Sequence, residues 1–367
     1  MIKAFASPSS YVQGKGVLFE SKPYLESFGT KPLLITGGHV YEAVGKDFEA
    51  YLTKQGFDVI LVNFNGESST KEIDRIAAIA KDQGATAIYG LGGGKTSDTA
   101  KAVADTAKLP VVIMPTLAST DAPCSRLSVI YKEDGTVENY RFYDHNPELV
   151  LVDSQVIANA PARLLVAGIA DALATNVEAQ AVTQSGADTM IDAKQTLVGI
   201  AIAEKCEETL FKYAHQAVAA VEQNVVSSAL EKIIEANTLM SGLGFESGGL
   251  SGAHAIHNGF TVLEECHHMY HGEKVDFGTL TQLVLENVPL DELEDIILWC
   301  IEVGLPVTLA ELGAGNVTDD QLMEVAKTAC AENDTLHNMP FEVTPETVFA
   351  AIKAADAYGR YYLDEEE

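Results

Sequence analysis

The chain has 367 residues, of which 47% are hydrophobic, and its 53 acidic against 24 basic residues give a formal net charge of −29. This length favours two domains over a single core. Such a negative surface repels nucleic acid and anionic lipid, so neither is expected as a partner, and it suits solubility in a saline habitat. Neither a transmembrane run nor a secretory signal is found, so we expect a cytoplasmic protein.

Short apolar runs bounded by Gly, Pro or Asn alternate with helical periods in the first part of the chain. The runs lie at 33–36, 59–62, 87–90, 111–114 and 149–153. Continuous apolar runs of this length indicate strands buried on both faces, and hence a parallel sheet. Two further runs, 127–131 and 139–143, flank a turn-like 132–135 and predict an antiparallel pair.

Helical periods fill the gaps between these strands and almost the whole of the chain that follows. The best early one, 70–82, begins with a predicted capping box of Ser69 and Glu72. Later periods lie at 161–183, 190–213, 226–243, 250–264, 275–287, 289–303, 318–331 and 345–357, and Pro161 suits a first helical turn. We therefore predict an α/β domain at 1–158 and an all-α domain at 159–367, with the active site in the cleft between them.

The cysteines give no sign of a redox or metal function. The five residues are far apart and form no CxxC pair: Cys124, Cys206, Cys266, Cys300 and Cys330. Neither a redox dithiol nor a cysteine zinc site is indicated. We expect reduced, mostly buried thiols.

A glycine-rich turn, Gly92–Asp98, follows the third predicted strand and opens a helix. Its glycines let the backbone approach a phosphate closely, the helix N-terminus offers free N–H groups, and Lys95 adds a cation. These features favour a pyrophosphate site. The spacing fits neither a P-loop, which would need glycine at Tyr89, nor GxGxxG, whose third glycine would fall at Lys95. A turn with no ligand is the alternative.

Five of the nine histidines lie within eighteen residues: His254, His257, His267, His268 and His271. His254 and His257 share a helix face, and His271 could return from a following turn to the same centre. Asp171, on an apolar helix of small residues, is costly to bury unless it is paired or binds a cation. One carboxylate, two imidazoles and an open position suit a catalytic divalent metal, most often zinc. A buried ion pair at Asp171 is the alternative, and we interpret His267 and His268 as surface residues.

The segment 115–125, between these stretches, is rich in hydroxyl groups and follows a predicted strand. Such a loop can contact ribose, the nicotinamide amide or substrate hydroxyls. A plain loop with local Ser/Thr capping is the alternative interpretation.

Taken together, these stretches resemble the glycerol dehydrogenases, a branch of the iron-containing alcohol dehydrogenase superfamily. The resemblance runs through nearly the whole chain and is densest at 92–101, 115–131, 161–175, 245–259 and 271–286. It implies a nucleotide-binding α/β domain and a helical metal domain, the architecture of dehydroquinate synthase, assembled as a homo-octamer. It also implies metal-dependent oxidation of glycerol and related vicinal diols to dihydroxyacetone with NAD or NADP.

The resemblance further implies roles for individual residues. Asp171, His254 and His271 would hold zinc, with iron or manganese as alternatives, since Thr175 stands where iron-using relatives carry a fourth ligand, a histidine. Asp121 would hydrogen-bond a glycerol hydroxyl, with His254 close to the substrate. The dinucleotide would contact Gly37, Gly93, Gly94, Lys95, Asp98, Thr116, Leu117, Ser119, Ser125, Leu127 and Tyr131.

Gly37 departs from the family pattern, which usually has an aspartate after the first predicted strand. That aspartate binds the ribose 2′-hydroxyl of NAD and repels the 2′-phosphate of NADP. With Gly37 in its place, we expect NADP to be used as well as NAD. His39 could assist when protonated, although a helix-start role accounts for it equally.

Other functions remain as alternatives. A lyase resembling dehydroquinate synthase would need several Lys and Arg residues for a phosphate and a carboxylate, whereas the metal-flanking stretches hold only Arg163 and Lys274. A glycerol-phosphate dehydrogenase is disfavoured on similar grounds. A catalytically silent NAD-binding protein would be expected to have lost one of the three metal ligands.

Overall fold

The computed structural model describes residues 2–132 and 136–366. The chain folds into two compact units. The first comprises Ala6–Pro161 with Ala220–Gly242, and the second Met1–Phe5, Ala162–Ala219 and Leu243–Glu367. The sequence analysis predicts that every residue after 158 belongs to the helical domain, whereas this division groups 220–242 with the first unit. The predicted turn at 133–135 lies outside the described residues.

A parallel sheet forms the centre of the first unit, which we call the α/β unit. The strands are β1 (Tyr11–Gly14), β2 (Pro32–Thr36), β3 (Ile60–Asn63), β4 (Ala87–Gly92), β5 (Val111–Pro115), β6 (Leu127–Tyr131), β7 (Val137–Phe142) and β8 (Leu149–Asp153). Six of them form the sheet in the order β1-β8-β5-β4-β2-β3, and every pairing in it is parallel. β6 and β7 form the predicted antiparallel pair.

Burial accounts for which strands the sequence predicts. β2, β4, β5 and β8 are buried at every residue, as the continuous apolar runs indicated. β3, at one edge, alternates between buried and exposed residues. β1, at the other edge, is only half-buried along its length and lacks an apolar run, so the sequence analysis missed it.

The helices, in chain order, are α1 (Lys22–Leu25), α2 (Gly38–Val40), α3 (Lys46–Lys54), α4 (Thr70–Gln83), α5 (Gly94–Ala107), α6 (Ser154–Ala158), α7 (Ala162–Ser185), α8 (Leu197–Glu222), α9 (Ser228–Glu235), α10 (Ser241–Gly248), α11 (Gly252–Phe260), α12 (His271–Leu285), α13 (Leu290–Val303), α14 (Asp319–Ala329) and α15 (Pro345–Glu366). Every predicted helical period is confirmed, but several ends differ. Pro161 precedes α7, α8 begins later than predicted, and α12 begins earlier, at His271. The period at 226–243 is divided into α9 and α10 by a π-helical turn, Ala236–Met240.

The capping box predicted at the start of α4 is half formed. The hydroxyl of Ser69 accepts a hydrogen bond from the Glu72 N–H, as predicted. The prediction of the reciprocal bond, from the Ser69 N–H to the Glu72 side chain, is wrong. The Ser69 N–H donates to the Glu67 carbonyl instead. The Glu72 carboxylate accepts hydrogen bonds from Asn65 and Arg75.

The second unit, which we call the helical unit, is organised around α7. This helix buries most of its residues between Leu165 and Val182, because its many alanines let neighbouring helices approach closely. An apolar cluster of this unit joins Ala181 of α7 to Phe260 of α11, Phe277 of α12 and Val325 of α14. Among the residues that the structure describes, no helix has both the length and the hydropathy needed to cross a bilayer.

Candidate metal centre and nucleotide-binding edge

Helix α7 carries two carboxylates into the interior of the helical unit. Asp171 and Glu178 are 1% and 0% exposed. They are separated by about two helical turns and therefore lie on the same side of α7. Because a buried charge is costly without partners, each carboxylate must be matched by donors or by a cation.

Glu178 is matched by the start of α11. Its Oε1 accepts hydrogen bonds from the backbone N–H groups of Ser251, at 2.9 Å, and His254, at 3.0 Å. Its Oε2 lies 2.6 Å from Nδ1 of the His254 ring. Since a carboxylate can only accept, Nδ1 carries the proton, and Nε2 is the ring nitrogen left to serve as a ligand.

Asp171 is matched by two histidines. Its Oδ1 lies 3.5 Å from Nε2 of His254 and 3.1 Å from Nε2 of His271. Burial alone would raise the pKa of Asp171, but protonated His271 and His254 rings beside the carboxylate would outweigh burial and hold the pKa well below its usual value. Burial likewise opposes the charge on His254, yet the Glu178 and Asp171 carboxylates raise its pKa.

These three side chains have the geometry of a metal site. One ligand atom from each of Asp171, His254 and His271 lies within 4.8 Å of the others. Ligand atoms about 2.0–2.1 Å from a tetrahedral zinc lie about 3.3 Å apart, which the two Asp171–histidine distances bracket. In the described part of the chain, this is the group of His, Cys, Asp and Glu side chains found to have such spacing.

The position of His271 depends on a close approach between α12 and α7. A Cβ atom on Gly272 would overlap the backbone carbonyl oxygen of Ala167, so only glycine permits this packing. The structure thus brings His271 to Asp171 and His254, as predicted. His267 and His268 are exposed, in agreement with their interpretation as surface residues.

Two residues of this centre were missed by the sequence analysis. Glu178 orients His254, and Oε1 of Gln282 accepts hydrogen bonds from the Gly252 and Ala253 N–H groups at 2.9 and 2.8 Å. Together they pair N–H groups at the start of α11 that no helical carbonyl can reach. The signal that singled out Asp171, a carboxylate on an apolar helix, applies equally to Glu178.

Four of the predicted nucleotide contacts lie at the carboxyl ends of adjacent strands in the α/β unit. Gly37 follows β2, Gly93 and Gly94 follow β4, and Thr116 follows β5. The Thr116 N–H donates to the Gly92 carbonyl at 3.0 Å, which fixes the two loops against each other. Ligands of open parallel sheets commonly bind at this edge.

Lys95 lies in the first turn of α5 and is half exposed. Its ammonium contacts the Glu67 carboxylate at 2.7 Å and lies 4.9 Å from the centre of the Tyr131 ring. Tyr131 therefore lies beside the glycine-rich turn.

Lys101, nearly two turns further along α5, contacts the loop that carries several predicted contacts. Its side chain is 2% exposed, and its ammonium donates to the carbonyls of Ala122 and Leu127 and also contacts Ser125. It pairs with Asp98 at 3.2 Å. Asp98 was predicted to touch the dinucleotide, but its carboxylate also accepts the Val129 N–H. The geometry favours a supporting role.

Asp121 lies in the same loop and is 8% exposed. Its Oδ2 accepts a hydrogen bond from the Ser241 hydroxyl at 2.9 Å. Nearby, the side-chain amide of Asn237 donates to the Ala118 carbonyl at 2.9 Å. The π-helical turn and the start of α10 therefore hold the loop from two points, and they orient the carboxylate that was predicted to bind substrate.

Comparison with known proteins identifies the family to which this chain is similar. Residues 8–154 match the iron-containing alcohol dehydrogenase family. A glycerol dehydrogenase of Citrobacter freundii is 49% identical over 99% of this chain and 100% of its own length. The chain belongs to the iron-containing alcohol dehydrogenases. It is therefore an oxidoreductase, and the predicted α/β and helical fold is confirmed.

Two further relatives are also similar over nearly the whole chain. A glycolaldehyde reductase of Halobacterium salinarum is 49% identical over 99% of this chain and 100% of its own length. The crystal structure of glycerol dehydrogenase from Schizosaccharomyces pombe is 40% identical, with a TM-score of 0.96 over 99% of this chain and 93% of that one. Family and fold are thus established over the whole length of the chain.

The Lys101–Asp98 pair should be a major source of stability in the α/β unit. We expect Lys101→Met to lower the free energy of unfolding by about 3–5 kcal/mol, because it strands a buried carboxylate and several carbonyls. Urea denaturation of the metal-free protein measures this. Lys108→Met is the matched control, since Lys108 pairs with Asp105 at the same spacing but is 80% exposed, and it should cost less than about 1 kcal/mol. Equal losses in the two variants would contradict the assignment.

Proposed function

We propose that this alcohol dehydrogenase is a metal-dependent polyol dehydrogenase that oxidises glycerol to dihydroxyacetone with NAD. The convergence of Asp171, His254 and His271, in a chain 49% identical to a glycerol dehydrogenase, carries the proposal. The secondary alcohol would lose one proton and one hydride, and NAD would accept the hydride.

The donor set suits a divalent cation, and we propose zinc. Three protein ligands leave an open position, and Thr175, where a fourth ligand would lie, is 1% exposed with its methyl group packed toward Gly244. A cation held here would polarise the alcohol oxygen and ease its deprotonation. The protein contributes orientation: Glu178 keeps the proton of His254 on Nδ1, so that Nε2 stays directed toward Asp171.

We propose that the α/β unit binds NAD along the edge formed by β2, β4 and β5. The start of α5 would receive the pyrophosphate, since the first N–H groups of a helix and its dipole favour an anion. The loop held by Lys101, which includes Ser125, and the start of β6 at Leu127 would contact the nicotinamide half. The domain boundary predicted from the sequence, at 158/159, would then separate the NAD-binding residues from the metal-binding residues. A homo-octamer stays a prediction.

A second substrate is favoured by one specific observation. The Halobacterium salinarum relative, named a glycolaldehyde reductase, is as similar to this chain as the glycerol dehydrogenase. Glycolaldehyde and dihydroxyacetone both carry a hydroxyl beside the carbonyl. The same carboxylate, Asp121, could accept a hydrogen bond from that hydroxyl in either substrate.

The metal prediction is tested by removal and replacement. Prolonged chelation should abolish activity, and Zn²⁺ should restore it. Asp171→Ala, His254→Ala and His271→Ala should each lose most of the bound metal, because each removes one of three ligands, whereas His267→Ala and His268→Ala should retain it. Metal content by elemental analysis is the measurement. Full occupancy in His271→Ala would refute the ligand set, and restoration by Fe²⁺ or Mn²⁺ alone would refute zinc.

The substrate prediction is tested by following NADH absorbance with glycerol, 1,2-propanediol, 2-propanol, dihydroxyacetone and glycolaldehyde. Asp121→Ala should lower kcat/KM for diols by about 10- to 100-fold more than for 2-propanol, because only diols lose a hydrogen bond to a charged group. An equal loss for glycerol and 2-propanol would contradict this role. A higher kcat/KM for glycolaldehyde than for dihydroxyacetone would favour the second substrate.

The cofactor prediction concerns Gly37. Its backbone is extended, with φ −84° and ψ 160°, and a Cβ atom there would meet no atom within 4 Å. Gly37→Asp should therefore fold normally and lower kcat/KM for NADP relative to NAD about 10-fold, which corresponds to about 1.4 kcal/mol of repulsion. Steady-state kinetics with both cofactors measure the ratio. Strict NAD preference in the unmodified enzyme would mean that another residue already excludes the 2′-phosphate.

A further inference from the structure

The two imidazoles that face Asp171 are held in different ways. His254 is fixed directly by the buried Glu178 carboxylate. Nδ1 of His271 instead lies 3.0 Å from Nε2 of another imidazole, His257. A contact between two imidazole nitrogens has no inherent direction, because either ring can be the donor. Something else must therefore decide which nitrogen of His271 carries the proton.

Two polar side chains in contact beyond His257, those of Asn258 and Asp334, determine where this proton lies. Nδ1 of His257 lies 3.2 Å from Oδ1 of Asn258, and Nδ2 of Asn258 lies 2.9 Å from Oδ2 of Asp334. Asp334 can only accept, so the amide nitrogen of Asn258 must face it. The amide oxygen consequently faces His257 and can only accept from it.

The direction of every bond in the chain then follows. Since the Asn258 oxygen accepts, Nδ1 of His257 carries the proton, and its Nε2 is an acceptor. Nδ1 of His271 must then donate to His257. This leaves the lone pair of His271 on Nε2, the atom that lies 3.1 Å from Asp171.

We propose that His257 is a positioning residue for the metal ligand His271, with Asn258 and Asp334 fixing its tautomer. His257 itself binds no metal, and it is 8% exposed, so water competes little for the contact. The inference rests on the proposed metal site, because a tautomer matters only if Nε2 of His271 is a ligand. Loss of such an orienting partner typically lowers metal affinity by about 10- to 100-fold.

The structure suggests a matched pair of variants. In His257→Gln, the amide group reaches as far as Nε2 of histidine and can still accept from His271. In His257→Asn, the amide reaches only as far as Nδ1, so the acceptor is lost although the side chain stays polar. His267→Gln, on the exposed surface with Nε2 3.0 Å from the Thr261 carbonyl, is the control for replacing a nearby histidine.

The experiment measures zinc affinity of the stripped proteins by competition with a chromophoric chelator. Wild type, His257→Gln and His267→Gln should agree within a few-fold, and His257→Asn should bind about 10- to 100-fold more weakly. Nitrogen NMR of the zinc-loaded wild type should show the His271 proton on Nδ1. Equal affinities for His257→Asn and His257→Gln, whether unchanged or weakened together, would overturn the positioning role.

Failure of the underlying function is distinguishable in the same titration. If the wild type bound no zinc, or if His271→Ala bound it as tightly as the wild type, the proposed metal site would be wrong, and this inference with it. If the wild type bound zinc and the two His257 variants did not differ, only the inference would fail.

Discussion

The metal centre depends on the burial of the Glu178 carboxylate at the start of α11. One group pairs two backbone N–H groups and one ring N–H, so the position of the helix and the orientation of His254 are set together. The positive end of the helix dipole stabilises the same negative charge. Because Asp171 lies two turns earlier on α7, a single helix fixes the spacing between the Asp171 carboxylate and the imidazole that faces it.

Much of the fold follows from local sequence patterns. The central strands are predictable because a parallel strand covered on both faces must be apolar along its whole length. β1 is not predictable in this way, since it is an edge strand whose Gln13 side chain bonds to Glu231, far along the chain. The π-helical turn between α9 and α10 is likewise not predictable from periodicity. Asn237 in this turn donates to the Ala118 carbonyl of a distant loop, a contact that a helical pattern cannot reveal.

The candidate site is also only partly predictable from sequence. Residue type and spacing are enough to single out the histidine cluster and Asp171, because clustered histidines are unusual and a carboxylate on an apolar helix is costly to bury. Gln282 and Asp334 cannot be singled out in this way, since a glutamine on a helix or an aspartate in a loop is ordinary until its partners are known. For Asp98 the resemblance implies a dinucleotide contact, which stays a prediction; its carboxylate also faces Lys101 and the Val129 N–H, partners that the sequence does not reveal.

The α/β unit is discontinuous in sequence, because residues 220–242 return to it after the long helix α8. Glu231 in this segment accepts hydrogen bonds from Gln13 in the edge strand β1 and from Ser154, which follows the neighbouring strand β8. During translation, roughly 80 residues separate the end of the first stretch from the end of the second, or about 4–16 s at about 5–20 residues per second. For that interval the Gln13 and Ser154 side chains of the nascent chain lack their partner Glu231, so this end of the α/β unit can be completed only after α8 has been synthesised.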